Sequence, residues 1–328
     1  FLAGVFCAST FGARSSDAYF MTDSLDSTLF DSTHQKDTTF YDVMDHAGVF
    51  DWLNTTFLPS FLPVEINGSV SNYIAGESSL RVGLGRLRLL RASRSSCHIP
   101  ATFTNISSCF SDIAIAGAET TESFHGYEWS ESDGHPSLKS MVTGVVYPGS
   151  GYRVDIPAGN YSEAQDLLEH LRNMTLLDES SRALFLDFSA YNPNVNMFSV
   201  VTAVVEMLPS GYVHPMVIFR TSPLLRTRLV LGGEGELFDT AMVSLEIILY
   251  GLVFFFFWKD VLGMTRQGFL GYLCESYWRV IDLANYVVFL AVIVLRAVSV
   301  LRVESIYSSL AEADQYIDLV KVGSCSVF

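Results

Sequence analysis

Three ionisable side chains sit where water is scarce. Glu246 lies inside an apolar run over 237–258, and Asp282 and Arg296 lie inside a second over 280–300. An ionised group at a bilayer centre costs at least about 2.5–3.5 kcal/mol, so each needs a partner or a water-filled cavity. A second set carries redox and modification chemistry. Cys97 and Cys109 occupy a polar region, whereas Cys7, Cys274 and Cys325 adjoin apolar runs. The same polar region holds Asn-x-Ser/Thr triplets at Asn54, Asn67, Asn105, Asn160 and Asn173. One triplet arises easily by chance. Five in one stretch, with none in the apolar third, fit an oxidising compartment and N-linked glycans. Catalytic patterns are not legible. There is no H-E-x-x-H, paired C-x-x-C or phosphate loop, and Gly149-Ser150-Gly151 lacks the glycine spacing of a nucleophile elbow. His98 and His214 stand near prolines and read as exposed loop imidazoles, so no enzyme is expected.

The elements that must position these residues show in the hydrophobic pattern. Residues 182–189 and 196–207 are Val- and Phe-rich runs of strand character, joined by Tyr191-Asn192-Pro193-Asn194, which is turn chemistry. They predict two long paired strands. Alternating Arg and Leu over 85–91 predicts a strand with one charged and one apolar face. Val142–Tyr147 and Tyr152–Ile156 flank Pro148-Gly149-Ser150-Gly151, a β-hairpin signal. Helical spacing appears over 39–53 and 162–174, while Ser, Thr and Asp make 13–40 an extended or poorly ordered segment. Pro and Gly mark 209–236 as a linker. Residues 1–11 are apolar but short of the about 20 that cross a bilayer. They suit either a secretory signal core or the outer end of a truncated transmembrane helix.

The chain has 328 residues, 49% of them hydrophobic, and a formal charge of −15. Such a charge opposes nucleic-acid binding, which needs a basic surface. The mean hydropathy of +0.31 is high for a soluble protein, and the excess lies near the C-terminus. The run 237–258 has twenty-two residues, roughly 33 Å of helix, and ends in Trp258, an interfacial anchor. Tyr277 and Trp278 border the second run.

Several of these blocks together resemble one family. Leu177-Asp178, Arg182-Ala183, Phe185, Asp187-Phe188, Tyr191-Asn192, Asn196, Phe198 and Val204–Glu206 look like the hallmark of the polycystin extracellular domain. The arginine-rich strand running into Cys97-His98-Ile99-Pro100 is similar to the family's Cys-x-Ile-Pro, with Cys109 as its second cysteine. Tyr147, Gly149, Gly151 and Tyr152 match a Tyr-x-Gly-x-Gly-Tyr block, and Leu245-Glu246-Ile247-Ile248 resembles the second transmembrane helix.

The resemblance implies an α+β extracellular domain, an antiparallel sheet flanked by helices, followed by membrane-spanning helices of a voltage-sensor-like domain. The expected layout is the end of a first transmembrane helix at 1–12, the ectodomain at 13–236 and a membrane helix at 237–258. A cytoplasmic loop at 259–279, a membrane helix at 280–300 and a further loop or helix at 301–328 follow, within a larger protein. It implies a Cys97–Cys109 disulfide. No cofactor is required. Family members often bind calcium on the cytoplasmic side, and Asp260 and Asp282 occupy the corresponding stretch, with Lys259 and Arg279 where oxygen ligands are wanted. The alternative is that the two aspartates pair with those cations. The implied function is a subunit of a non-selective, calcium-permeable cation channel, homo- or heterotetrameric, in lipid of a ciliary or flagellar membrane. A larger polycystin partner subunit and a membrane anchor holding extracellular glycoproteins are the alternatives. Phe124, Trp129 and Tyr152 are expected at the subunit interface, because aromatics bordering a polar loop often anchor interfaces; for Tyr152 a place in the domain's own core is the competing reading.

Overall fold

Two runs of buried residues, Ser181–Asn192 and Met197–Met207, lie within a six-stranded sheet, and the ten strands of the described residues, in three sheets, are numbered along the chain. Strands β1 (Val64–Ile66) and β2 (Ser69–Ser71) pair with each other, as do β5 (Leu138–Lys139) and β6 (Val146–Tyr147). The six-stranded antiparallel sheet uses β3 (Leu80–Arg91), β4 (Trp129–Ser130), β7 (Gly151–Ile156), β8 (Ser181–Asn192), β9 (Met197–Met207) and β10 (Val213–Pro223). Its order is β10-β9-β8-β3-β7-β4. The structure is a computed structural model that describes residues 16–33, 39–62, 64–66, 69–76, 78–94, 97–99, 102, 108–113, 119–132, 135–157, 161–223, 237–268, 271–272, 274 and 276–310. Residues 1–12 and 311–328, with their expected membrane and loop assignments, lie outside this set. The chain divides into two units, one holding Asp17–Pro223 and the other Leu224–Ile306.

The β8–β9 hairpin forms as its sequence predicts. Asn192 pairs with Met197 at the turn, Asn194 donates its backbone N–H to Asn192 Oδ1 at 3.0 Å, and Asn196 takes the left-handed φ of 53°. Asparagine tolerates that geometry through its short polar side chain. Both strands are buried on both faces, so alternation sorts them into two cores. Leu184, Leu186, Phe188, Val201, Ala203 and Val205 join the larger one, with Leu87 and Leu89 of β3. Ala183, Phe185 and Val204 face a smaller core with Leu90, Leu138 and Tyr147.

Helices cover the larger core. Tyr161–Asn173 buries Ala164, Leu168 and Leu171, one face at helical spacing. His46–Trp52 starts later than the 39–53 pattern suggests. Asp45 caps it, accepting from Gly48 N–H at 2.6 Å, and a separate turn at Phe40–Asp42 precedes it. Three sequence expectations are corrected. Ser16–Leu29 is helical rather than extended, because Met21, Leu25 and Leu29 give it a narrow buried stripe. The linker 209–236 contains strand β10, whose Pro215 and Pro223 are tolerated because it is an edge strand. The third is the hairpin at 148–151. There β6 pairs with β5, while β7 pairs with β3 and β4, so the link carries the chain from one sheet to another.

In the second unit, Leu237–Gln267 and Tyr277–Leu310 are helices. Within them Ile247–Gln267 and Tyr277–Leu295 are long and apolar enough to cross a membrane, and they leave their apolar side chains exposed. The first helix runs nine residues past Trp258, into the stretch read as loop, until Gly268 at φ 76° ends it. Ser276 sets the next start, its Oγ accepting from Trp278 N–H at 3.4 Å.

Candidate functional site

Alternation along β3, β8 and β9 places polar side chains on the smaller-core face, most of them buried. Arg86 lies opposite Asp187, which lies opposite Thr202; one step along, Arg88 lies opposite Phe185. Arg88 and Asp187 are 2% and 1% exposed. The Arg88 guanidinium sits 3.8 Å from Asp187 Oδ2 and 3.7 Å above the centre of the Phe185 ring. Its Nη1 donates to the carbonyls of Pro148, at 2.9 Å, and Ser150, at 3.0 Å. Thr202 donates to Asp187 Oδ1 at 2.8 Å, and the His135 ring lies 3.9 Å from Oδ2. A buried cation so surrounded is compensated by one carboxylate, two carbonyls and a π face.

This cluster explains the failed hairpin at 148–151. The two carbonyls that a β6–β7 hairpin would direct elsewhere are turned onto Arg88. Glycine is required on both sides of the link. A Cβ at Gly149 would collide with the His135 carbonyl, and Gly151, at φ 134°, would put one 2.7 Å from the Leu89 carbonyl oxygen.

A second buried acid, Glu206, lies at the far end of β9. It accepts from Thr143 Oγ1 at 3.5 Å, and burial followed by this carboxylate pushes the Tyr147 phenol above its ordinary range. Burial also works on Asp178 to raise its pKa, but the Ser180 hydroxyl and Arg91 outweigh it and hold the carboxyl below the ordinary range. Arg91 reaches Asp178 at 2.6 Å and lies 3.3 Å above the Phe124 ring centre. The sequence pattern offered one signal for these groups: charges standing alone in otherwise apolar strands.

The structure joins Cys97 to Cys109, twelve residues apart. Arg182 ties the segment after the disulfide to the sheet, donating to the carbonyls of Phe110 at 2.8 Å and Ser111 at 2.9 Å. Replacing either cysteine by serine is expected to cost about 3 kcal/mol in the chain-entropy account. Thermal unfolding of the purified chain with and without reductant checks this, and no difference would contradict it.

Of the aromatics expected at an interface, Tyr152 takes the competing place in the domain's own core, and Phe124 and Trp129 pack partly against that core. Tyr152 is 2% exposed and hydrogen-bonds to the carbonyls of Glu122 and Thr120. It cannot anchor a neighbour, because its surface is already spent. Phe124 and Trp129 are half-buried against the larger core; Trp129 Nε1 donates to Glu119 Oε1 at 2.7 Å, and Ser150 Oγ donates to the same carboxylate. Glu119 went unnoticed in the sequence because its partners lie 10 and 31 residues away.

Comparison with known families matches residues 39–225 to the polycystin domain. Residues 236–327 match the polycystin cation channel family. The chain belongs to the polycystin family. It is 29% identical over 244 residues to polycystin-2 of Caenorhabditis elegans, covering 71% of this chain and 32% of that protein. It is 26% identical over 287 residues to human polycystin-2-like protein 1, covering 84% and 34%. With polycystin-2 of Danio rerio it shares 33% over 180 residues, 53% of this chain and 19% of that one. The chain thus spans about a third of the length of the first two polycystins.

As a polycystin, its membrane-side acids need testing as calcium ligands. Both oxygens of Asp260 are engaged: Oδ1 accepts from Tyr272 at 2.8 Å and Oδ2 from Tyr286 at 2.7 Å. Tyr272 is pressed close against Gly263, where a Cβ would lie 2.6 Å from the ring. Arg279 stacks 4.0 Å from the centre of the Tyr272 ring and donates to Gln267 Oε1 at 3.3 Å. No group of three His, Cys, Asp or Glu side chains is gathered among the described residues. Calcium takes about 6–8 oxygens. Asp260 and Asp282 together offer four carboxylate oxygens, two of which accept from tyrosines. Asp260 is oriented by these two tyrosine hydroxyls, partners that the sequence reading did not name. Glu246 and Arg296 lie on the two apolar helices. Among the triplets, Asn54 and Asn173 are described, while Asn67, Asn105 and Asn160 lie outside the described residues.

Proposed function

We propose that this chain is the ectodomain and first voltage-sensor-like helices of a polycystin-type channel subunit. The subunit passes cations, calcium among them, without strong selectivity, and four subunits, identical or mixed, surround the pore. The ectodomain lies outside, carries N-linked glycans, assembles the tetramer and biases its gating, in a ciliary or flagellar membrane. The observation that carries this reading is the tandem match: a polycystin domain over 39–225 followed directly by the polycystin cation channel family over 236–327. The packing supports an assembly role. Its charged groups are spent on fixing loops 108–113 and 148–151, which suits a rigid scaffold. The expected result is a cation current, carried by sodium, potassium and calcium alike, in cells producing the full-length protein. An absence of current in membranes shown to contain the protein would overturn the channel assignment.

A further inference from the structure

Two of the Asn-x-Ser/Thr triplets meet at one groove. Asn54 and Asn173, 119 positions apart, line the same cavity of about 340 Å³ together with Phe50, Leu168, Glu169 and Arg172. It runs between the helical segment 46–61 and the helix Tyr161–Asn173. The triplets are alike in sequence and opposite in setting.

Asn173 is the last residue of its helix, and both it and Thr175 are exposed. The chain turns away there: Met174 N–H donates to the His170 carbonyl at 3.0 Å, and Thr175 takes a left-handed φ of 56°. Both residues of the triplet that the transfer needs, Asn173 and Thr175, are therefore exposed at the helix end. Asn54 lies instead inside the π-helical turn Leu53–Phe57, between Leu53 and Phe57, which are buried. Its Oδ1 is buried, and its backbone carbonyl accepts from the Tyr161 phenol hydroxyl at 3.5 Å. Thr55 Oγ1 donates to the Asp51 carbonyl at 2.7 Å, and Thr56, the residue whose hydroxyl the transfer needs, is 2% exposed.

We infer that Asn173 carries an N-linked glycan rooted at the rim of this groove, and that Asn54 stays unmodified. This rests on the proposed placement of the ectodomain outside the cytosol. A glycan is bulky and hydrophilic and belongs on an accessible surface. At Asn173 it extends into solvent. Asn54 belongs to the turn that seats Leu53 and Phe57 in the core, with its Oδ1 buried and Thr56 of the same triplet 2% exposed, so a glycan there works against the packing of that turn. The groove leaves open space beside Asn173, and the salt bridge from Arg172 to Asp51, at 2.9 Å, holds its two walls together.

The test is glycopeptide mass spectrometry, with endoglycosidase mobility shifts, on the full chain made in a eukaryotic secretory system. Asn173→Gln and Thr175→Ala should each remove one glycan, whereas Asn54→Gln should leave the glycoform pattern unchanged. A bare Asn173, or a glycan on Asn54, with glycans on Asn67, Asn105 or Asn160, would overturn the inference and leave the outside placement standing. Glycans on none of the five would overturn both.

Discussion

Asp187→Ala is expected to cost the ectodomain about 3–5 kcal/mol, a large part of the margin of a typical domain. The change leaves Arg88, 2% exposed, without the carboxylate 3.8 Å away, and strands the Thr202 hydroxyl that donated to it. Losing one partner of a buried pair is worse than losing both, because the survivor keeps its desolvation cost. The paired change Arg88→Met with Asp187→Leu should therefore recover much of the loss in stability. It should not restore the path of 148–151, whose carbonyls would lose the Arg88 Nη1 donor. Denaturant unfolding of the three variants separates these terms. A single substitution costing less than about 1 kcal/mol would show the pair to be incidental.

Phe188→Ala should cost a similar amount, about 3–5 kcal/mol, by a different route. Phe188 points from β8 into the larger core and is surrounded by Phe61, Phe57 and Phe30, with ring centres 5.0, 5.6 and 6.5 Å away. Phe30 follows the helix Ser16–Leu29, Phe57 and Phe61 belong to the 46–61 segment, and Phe188 itself belongs to the sheet. The cavity would thus undermine three elements at once. Phe188→Leu keeps most of the volume and should cost less than about 1.5 kcal/mol. A lower denaturation midpoint with an unchanged m-value is the expected signature.

What the sequence made legible follows the range of the interactions involved. Strands β8 and β9 were readable because their turn, their β-branched residues and their partner all lie within one stretch. The Cys97–Cys109 pairing followed from resemblance and appears in the structure. The path of 148–151 was not readable, because its local turn chemistry is overridden by Arg88, sixty positions earlier. Tyr152 looked like a loop aromatic for the same reason: the partners that bury it, at Thr120 and Glu122, are distant in sequence. The hydrogen bonds from Tyr272 and Tyr286 to Asp260 were not readable, because these partners lie 12 and 26 residues on. Strand β10 was hidden by its prolines, which an edge position permits.

This ectodomain is proposed above as the assembly domain of a four-subunit channel. Its most direct test is native mass measurement of the full-length protein extracted in its own lipid, wild type beside Asp187→Ala. Four polycystin subunits per complex are expected for the wild type, and loss of the four-subunit species for the variant. A wild-type protein found as one or two subunits, or a variant that unfolds its ectodomain yet keeps all four, would contradict the account.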